Sequence, residues 1–264
     1  MFGSVVYFFV SFLASVAGAI CGIGGGVIIK PVLDLCKLDS VSTISFLSGV
    51  TVLSMSCYSV VRNAFSGESR IDVRTGTPLA VGAAIGGVAG KQLFSTLKEA
   101  FAAPDTVGAV QAACLAVITL ATLLYTVFKE RIETHQVKNM GACLGIGLIL
   151  GILSSFLGIG GGPINLMVLS YFFGMNTKNA AQNSLYVIFF SQSASLIATL
   201  LTRTVPEFTW SSLALMVCGG IGGGVAGRII NKWISDKAVD KLFMVLMVAI
   251  IFISIYNTVC YSAV

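Results

Sequence analysis

The chain is short of charge. Of its 264 residues 16 are Lys or Arg and 11 are Asp or Glu, 10% in all, against 56% hydrophobic and a mean hydropathy of +0.94. An average soluble domain is about 25% charged, so this chain cannot cover a water-facing surface, which argues against a soluble globular enzyme. Disorder is excluded for the opposite reason, since it needs low hydrophobicity. The net charge of +5 is scattered rather than gathered into a stripe, so no nucleic-acid partner is expected. Histidine is lacking too, with a single His135 in a polar loop. There is no Walker-type G-x-x-x-x-G-K-[ST] run and no carboxylate pair inside an apolar stretch. No enzyme activity, metal or other cofactor is therefore expected. The seven cysteines contain no C-x-x-C pair and sit almost entirely in apolar stretches, as small packing residues do. A basic n-region is missing ahead of Val5–Leu13, so no cleaved leader is expected. What remains is an all-α polytopic membrane protein.

What the chain has in plenty is apolar run. Such runs fall at about 4–21, 27–36, 41–61, 77–97, 106–128, 139–157, 163–173, 180–202, 209–230 and 239–261. Most are long enough to cross about 30 Å of hydrocarbon as helices. The runs 27–36 and 163–173 would reach about half as far. Each short run is joined to the preceding one by the same pentapeptide, Gly22-Ile23-Gly24-Gly25-Gly26 and Gly158-Ile159-Gly160-Gly161-Gly162, 136 residues apart. Ile85–Lys91 returns as Ile221–Arg228 at an offset of 136 to 137, and Ser48 returns as Ser184. These coincidences predict two homologous halves, 1–128 and 139–264, joined by the charged linker 129–138.

Three consecutive glycines are poor helix formers, so the first and fifth membrane segments should break at GIGGG into hairpins or half-helices. Such a break at membrane depth is tolerated when it is buried or lines a cavity. Glycine-interrupted segments at matching places in two halves point to a transporter's binding site, where half-helix N-termini favour an anion. The competing reading is tight packing alone. For the small-residue rows Gly82/Gly86/Gly90 and Gly219/Gly223/Gly227 packing is the expected role.

Two topologies stay open. With eight plain crossings Lys and Arg divide seven to nine, whereas hairpins at 4–36 and 139–173 leave six full crossings and a division of eleven to five. The second resembles a positive-inside pattern and makes the halves inverted repeats.

The motifs GIGGGVIIKP at 22–31 and GIGGGPINLMVL at 158–169, within a two-half plan, resemble the sulfite exporter TauE/SafE family of membrane transporters. Ala180-Ala181-Gln182-Asn183-Ser184-Leu185 is similar to that family's Ala-x-x-Thr-Ser-Leu-like segment, with Asn183 in the Thr place. The first half keeps only Leu47-Ser48-Gly49 there. The resemblance implies ATP-independent transport of sulfur-containing or organic anions such as sulfite, thiosulfate, sulfonates or sulfoacetate, in a bacterial plasma (inner) membrane.

Candidate substrate-binding residues are the break glycines Gly24, Gly25, Gly26, Gly160, Gly161 and Gly162, with Ser48, Asn165, Asn183 and Ser184 as neutral donors. Their alternative role is helix–helix hydrogen bonding. Lys30, a cation four residues past the first break, would supply positive charge to the anion or else snorkel to an interface. All eleven carboxylates are expected at segment ends or in loops, and Gln111 and Gln192 are expected as helix–helix contacts. The bilayer and a small anionic substrate are the expected partners, with a homo-oligomer left open. An anion channel using the same half-helix ends is the alternative function.

Overall fold

A computed structural model describes residues 2–65, 71–100 and 104–262. They form ten α-helices: α1 (Phe2–Cys21), α2 (Gly26–Cys36), α3 (Val41–Phe65), α4 (Val73–Ala100), α5 (Pro104–Phe128), α6 (Met140–Leu157), α7 (Pro163–Phe173), α8 (Thr177–Leu201), α9 (Trp210–Trp233) and α10 (Asp236–Ser262). A 3-10 turn at Lys129–Arg131 opens the linker. No strand occurs among the described residues.

Glycine stops α1 and α6 for a backbone reason. Gly22, Gly24 and Gly25 have φ of 77°, 82° and 73°, and Gly158, Gly160, Gly161 and Gly162 have φ of 66°, 68°, 126° and 148°. Residues with a Cβ avoid this left-handed region. Pro163 then starts α7, where its missing N–H costs nothing.

Both broken segments fold back as hairpins. The Tyr7 hydroxyl of α1 donates to Asp39, just beyond α2, so the chain leaves beside where it entered. In the second half the strap ahead of α6 meets the end of α7, where His135 N–H donates to Tyr171 O (2.8 Å) and Val137 N–H to Phe172 O (2.9 Å). The linker is thus docked rather than loose, and Lys129 adds an ion pair to Asp240 at 2.5 Å.

The small-residue rows bring pairs of helices into backbone contact. A Cβ at Gly82, Gly86 or Gly90 of α4 would stand 2.1, 2.1 or 2.3 Å from the carbonyl oxygens of Leu144, Leu148 and Ile152 on α6. At Gly219, Gly223 and Gly227 of α9 it would stand 2.8, 2.3 or 2.5 Å from those of Phe8, Phe12 and Val16 on α1. The two sets are related by the 136–137 offset at every position. α4 of the first half therefore grips α6 of the second, and α9 grips α1, both pairs running parallel.

The outer surface is apolar. Phe65, Val117, Val245 and Phe252 are 83%, 68%, 67% and 70% exposed, which water would penalise and lipid accepts. Six helices (α3, α5, α6, α8, α9 and α10) are long and apolar enough to cross a membrane. The two tryptophans, Trp210 and Trp233, stand exposed at the two ends of α9, about 35 Å apart along the axis. That spacing suits an aromatic belt on either side of the hydrocarbon.

Candidate functional site

The two hairpin tips meet inside the protein. A Cβ at Gly24 would lie 3.5 Å from Gly160 O, and one at Gly26 would lie 2.0 Å from Ile159 O. At Gly22 it would strike Ala181 Cα at 2.2 Å, and at Gly158, 136 residues on, Ser45 Oγ at 2.7 Å. Val52 and Ile188 close the junction, the first 2.8 Å from a Cβ at Gly160 and the second 2.4 Å from one at Gly161. Gly25 fits against Ala14 O at 3.0 Å by the same measure. All six break glycines proposed for binding are buried. Here glycine allows the tips to interlock, and backbone from one half occupies the place of a side chain in the other.

Open space lies beside the second tip. A cavity of about 40 Å³ is bounded by Ser45 and Gly49 of α3, Lys91 and Phe94 of α4, Gln111 of α5, Ser155 and Gly158 at the end of α6, and Gln192 and Thr199 of α8. Four buried polar atoms of this lining, Ser45 Oγ, Ser155 Oγ, Gln111 Oε1 and Gln192 Nε2, have no hydrogen-bond partner. Each such atom costs about 1–3 kcal/mol unless something in the cavity meets it. Lys91 is the cation of the lining, its Nζ 5.4 Å from the Phe94 ring centroid, and no carboxylate lines the cavity among the described residues. Gln111 is held by its Nε2, which donates to Phe156 O at 2.5 Å. That bond also satisfies one of the last-turn carbonyls of α6 that would otherwise repel an anion. The volume holds two or three waters, at about 10–15 Å³ each on this measure, or one compact oxyanion.

A second, smaller cavity of about 10 Å³ touches Lys30, Asp34, Gln111, Ser254 and Asn257. Gln111 belongs to both cavities. Here the sequence reading needs correcting. Lys30 is not a lone cation, because its Nζ donates to Asp34 Oδ2 at 2.9 Å with both side chains 4% exposed. Asp34 was expected at a segment end facing outward. Instead α2 turns back into the protein and α10 covers it, with Asn257 Nδ2 donating to Pro31 O at 2.9 Å. Lys30 reaches the first cavity from behind, its Cε 3.4 Å from where a Cβ at Gly158 would stand. The snorkelling alternative does not describe a side chain buried in this way.

The remaining predicted donors separate. Ser48 Oγ, Ser184 Oγ and Asn165 Oδ1 are buried without partners near the interlocked tips. Asn183 is occupied: its Oδ1 accepts from Asp72 N–H at 3.2 Å and its Nδ2 donates to Asn179 O at 2.9 Å, tying α8 to the start of α4. Ser48, Asn165, Asn183, Ser184 and the break glycines Gly24–Gly26 and Gly160–Gly162 are not in the lining of the 40 Å³ cavity. Sequence reading missed Ser45, Ser155 and Lys91 as site residues. Lys91 did carry a signal, since its counterpart 137 residues on is Arg228, also basic.

That counterpart region is spanned rather than open. Arg228 Nη1 donates to Asn63 Oδ1 at 2.5 Å, and Asn231 Nδ2 donates to Ile20 O at 2.6 Å. By the offset these four residues match Lys91, Thr199, Phe94 and Phe156, which stand around the cavity at the other tip.

Exposed apolar helices, two hairpins meeting at their tips and a polar cavity beside them define a multi-pass integral membrane protein of the transporter class. The model of the family described as sulfite exporter TauE/SafE matches residues 7–253, nearly the whole chain, and the chain belongs to that family. It is similar to "Probable membrane transporter protein YunE" of Bacillus subtilis (strain 168), with 24% identity over 107 residues. The aligned stretch takes in 40% of this chain and 38% of that protein, so it spans well under half the relative's length. No solved structure gives a significant match.

Proposed function

We propose that this membrane transporter is a secondary carrier of small anions, sulfur-containing or organic, of the sulfite, thiosulfate, sulfonate or sulfoacetate type. The substrate sits in the cavity between α3, α4, α6 and α8, beside the glycine break at Gly158–Gly162. The observation that carries this reading is the lining: unpartnered hydroxyl and amide donors and one ammonium, with no carboxylate among the described residues. Such a set repels cations and replaces an oxyanion's hydration shell. The interlocked tips form the fixed centre, and the substrate passes unchanged in its chemistry across the bacterial plasma membrane.

A carrier is favoured over a channel by the difference between the two ends of the tip junction. A channel holds one continuous path. Here a cavity stands at one end, while hydrogen bonds from Arg228 and Asn231 span the matching place at the other. Two inverted halves, 1–128 and 139–264, would exchange these arrangements as the site turns from one face to the other. The test is a ligand screen on the purified protein by thermal shift with sulfite, thiosulfate, sulfoacetate, taurine and simple carboxylates. It is followed by counterflow of the best ligand in liposomes. A ligand at one hundred times its Kd should stabilise by about 2.7 kcal/mol, and counterflow should saturate. Stabilisation by none of these, or conductance far above carrier rates, refutes the carrier.

A further inference from the structure

The Lys30–Asp34 pair has an unused half. Asp34 Oδ2 takes the Lys30 ammonium, but Asp34 Oδ1 is buried with no partner. It shares the 10 Å³ cavity with Ser254 and with Gln111, whose Oε1 is also unpartnered. Gln111 cannot turn to offer its amide hydrogens, because Nε2 is committed to Phe156 O. Two acceptors therefore face a space of about one water, with only the Ser254 hydroxyl as a nearby donor. What this arrangement lacks is a hydrogen.

Lys30 connects that lack to the anion cavity. Asp34 is the partner that neutralises it, and Lys30 Cε stands behind Gly158, one wall of the larger cavity. With Asp34 ionised the pair is neutral, and an anion beside Gly158 gains nothing from Lys30. With a proton on Asp34 the ammonium charge is unpaired, and an anion beside Gly158 is its nearest compensation.

No other charged group lines the Asp34 cavity among the described residues. α10 brings Ser254 and Asn257 to it, α5 brings Gln111, and α6 brings Leu157. α3 packs on α2 through Ile44 and Leu47. α1 brings Tyr7, whose hydroxyl is taken by Asp39. Cys36 and Lys37 at the end of α2 are exposed, and Lys37 meets Asp34 through its backbone N–H on the Asp34 carbonyl at 3.1 Å.

We propose that Asp34 is the proton-binding site of this carrier, so that one proton from water is taken up on the Asp34 carboxylate when an anion enters the cavity beside Gly158. A monovalent anion and its proton then cross together as a neutral pair. This rests on the anion-carrier reading. The experiment titrates thiosulfate into the detergent-purified full chain by calorimetry, in two buffers of different ionisation enthalpy, across pH 5.5–8. Wild type should take up close to one proton per anion over part of that range, with thiosulfate binding weakening as pH rises there. Asp34→Asn mimics the protonated acid and should bind with no proton uptake and a flat pH profile. Lys30→Met removes the charge that links the two cavities and should likewise lose the uptake. Thermal melting and gel filtration check that each variant is folded. Binding by wild type without net proton uptake, or uptake that survives in Asp34→Asn, overturns the proton site and leaves the carrier standing. Should wild type bind none of the screened anions, the carrier reading falls and this inference with it.

Discussion

Replacing Lys91 with Met removes the cation of the anion cavity while keeping most of the side chain's length. At an effective dielectric of about 20 a unit charge 4 Å from another is worth about 4 kcal/mol. Lys91 is half-buried rather than enclosed and rests over the Phe94 ring, so water and salt screen much of that interaction. A third of it remains, about 1.4 kcal/mol, or about a tenfold weaker Kd. Calorimetric titration of thiosulfate at 20 and 200 mM salt measures both the loss and its origin. Wild-type affinity should fall with salt, and Lys91→Met should lose most of that dependence, whereas Lys91→Arg should keep it. A Kd within twofold of wild type at both salt concentrations would refute the placement of the anion beside Lys91.

Other outcomes follow from the packing. Gly86→Ala puts a Cβ 2.1 Å from Leu148 O and must push α4 from α6, at about 1–3 kcal/mol. Gly145→Ala, on the same α6 with nothing within 4 Å, should be neutral or stabilising, and detergent melting curves compare the two. Gly161→Leu strikes Ile188 in the tip junction at a φ of 126°, so counterflow should vanish while membrane insertion persists. Asn63→Ala removes the acceptor that Arg228 uses, and hydrogen exchange should quicken at 60–65 and 228–233. Unchanged exchange there would show that the bond does not hold that end closed.

Much of the architecture could be read from the sequence because glycine is a backbone instruction. Left-handed φ at Gly24 or Gly160 breaks a helix wherever it falls, so the hairpins at 22–26 and 158–162 were visible as strings of letters. The rows at Gly82–Gly90 and Gly219–Gly227 likewise follow from a spacing of four on one helix face. The site was less legible, because its parts come from different helices. Ser45 and Ser155 look like any small hydroxyl in an apolar run, and only the docking of α3 on the end of α6 brings them to one cavity. Gln111 and Gln192 read as contacts between helices, which Gln111 is, yet each keeps one polar atom without a partner in the cavity. Asp34 misled for a simpler reason. Its place near the end of an apolar run suggests an interface, but a helix that turns back inside the protein carries its last turns inward.

Anomalous scattering from selenate, a heavier oxyanion, tests the central claim most directly. Crystals or grids of the lipid-bound protein grown with selenate should show one selenium peak between Lys91, Ser155 and Gln192, within hydrogen-bond reach of the Ser45 hydroxyl. The peak should disappear with excess thiosulfate. A transported anion whose peak lies elsewhere, with this cavity holding only water, would contradict the account.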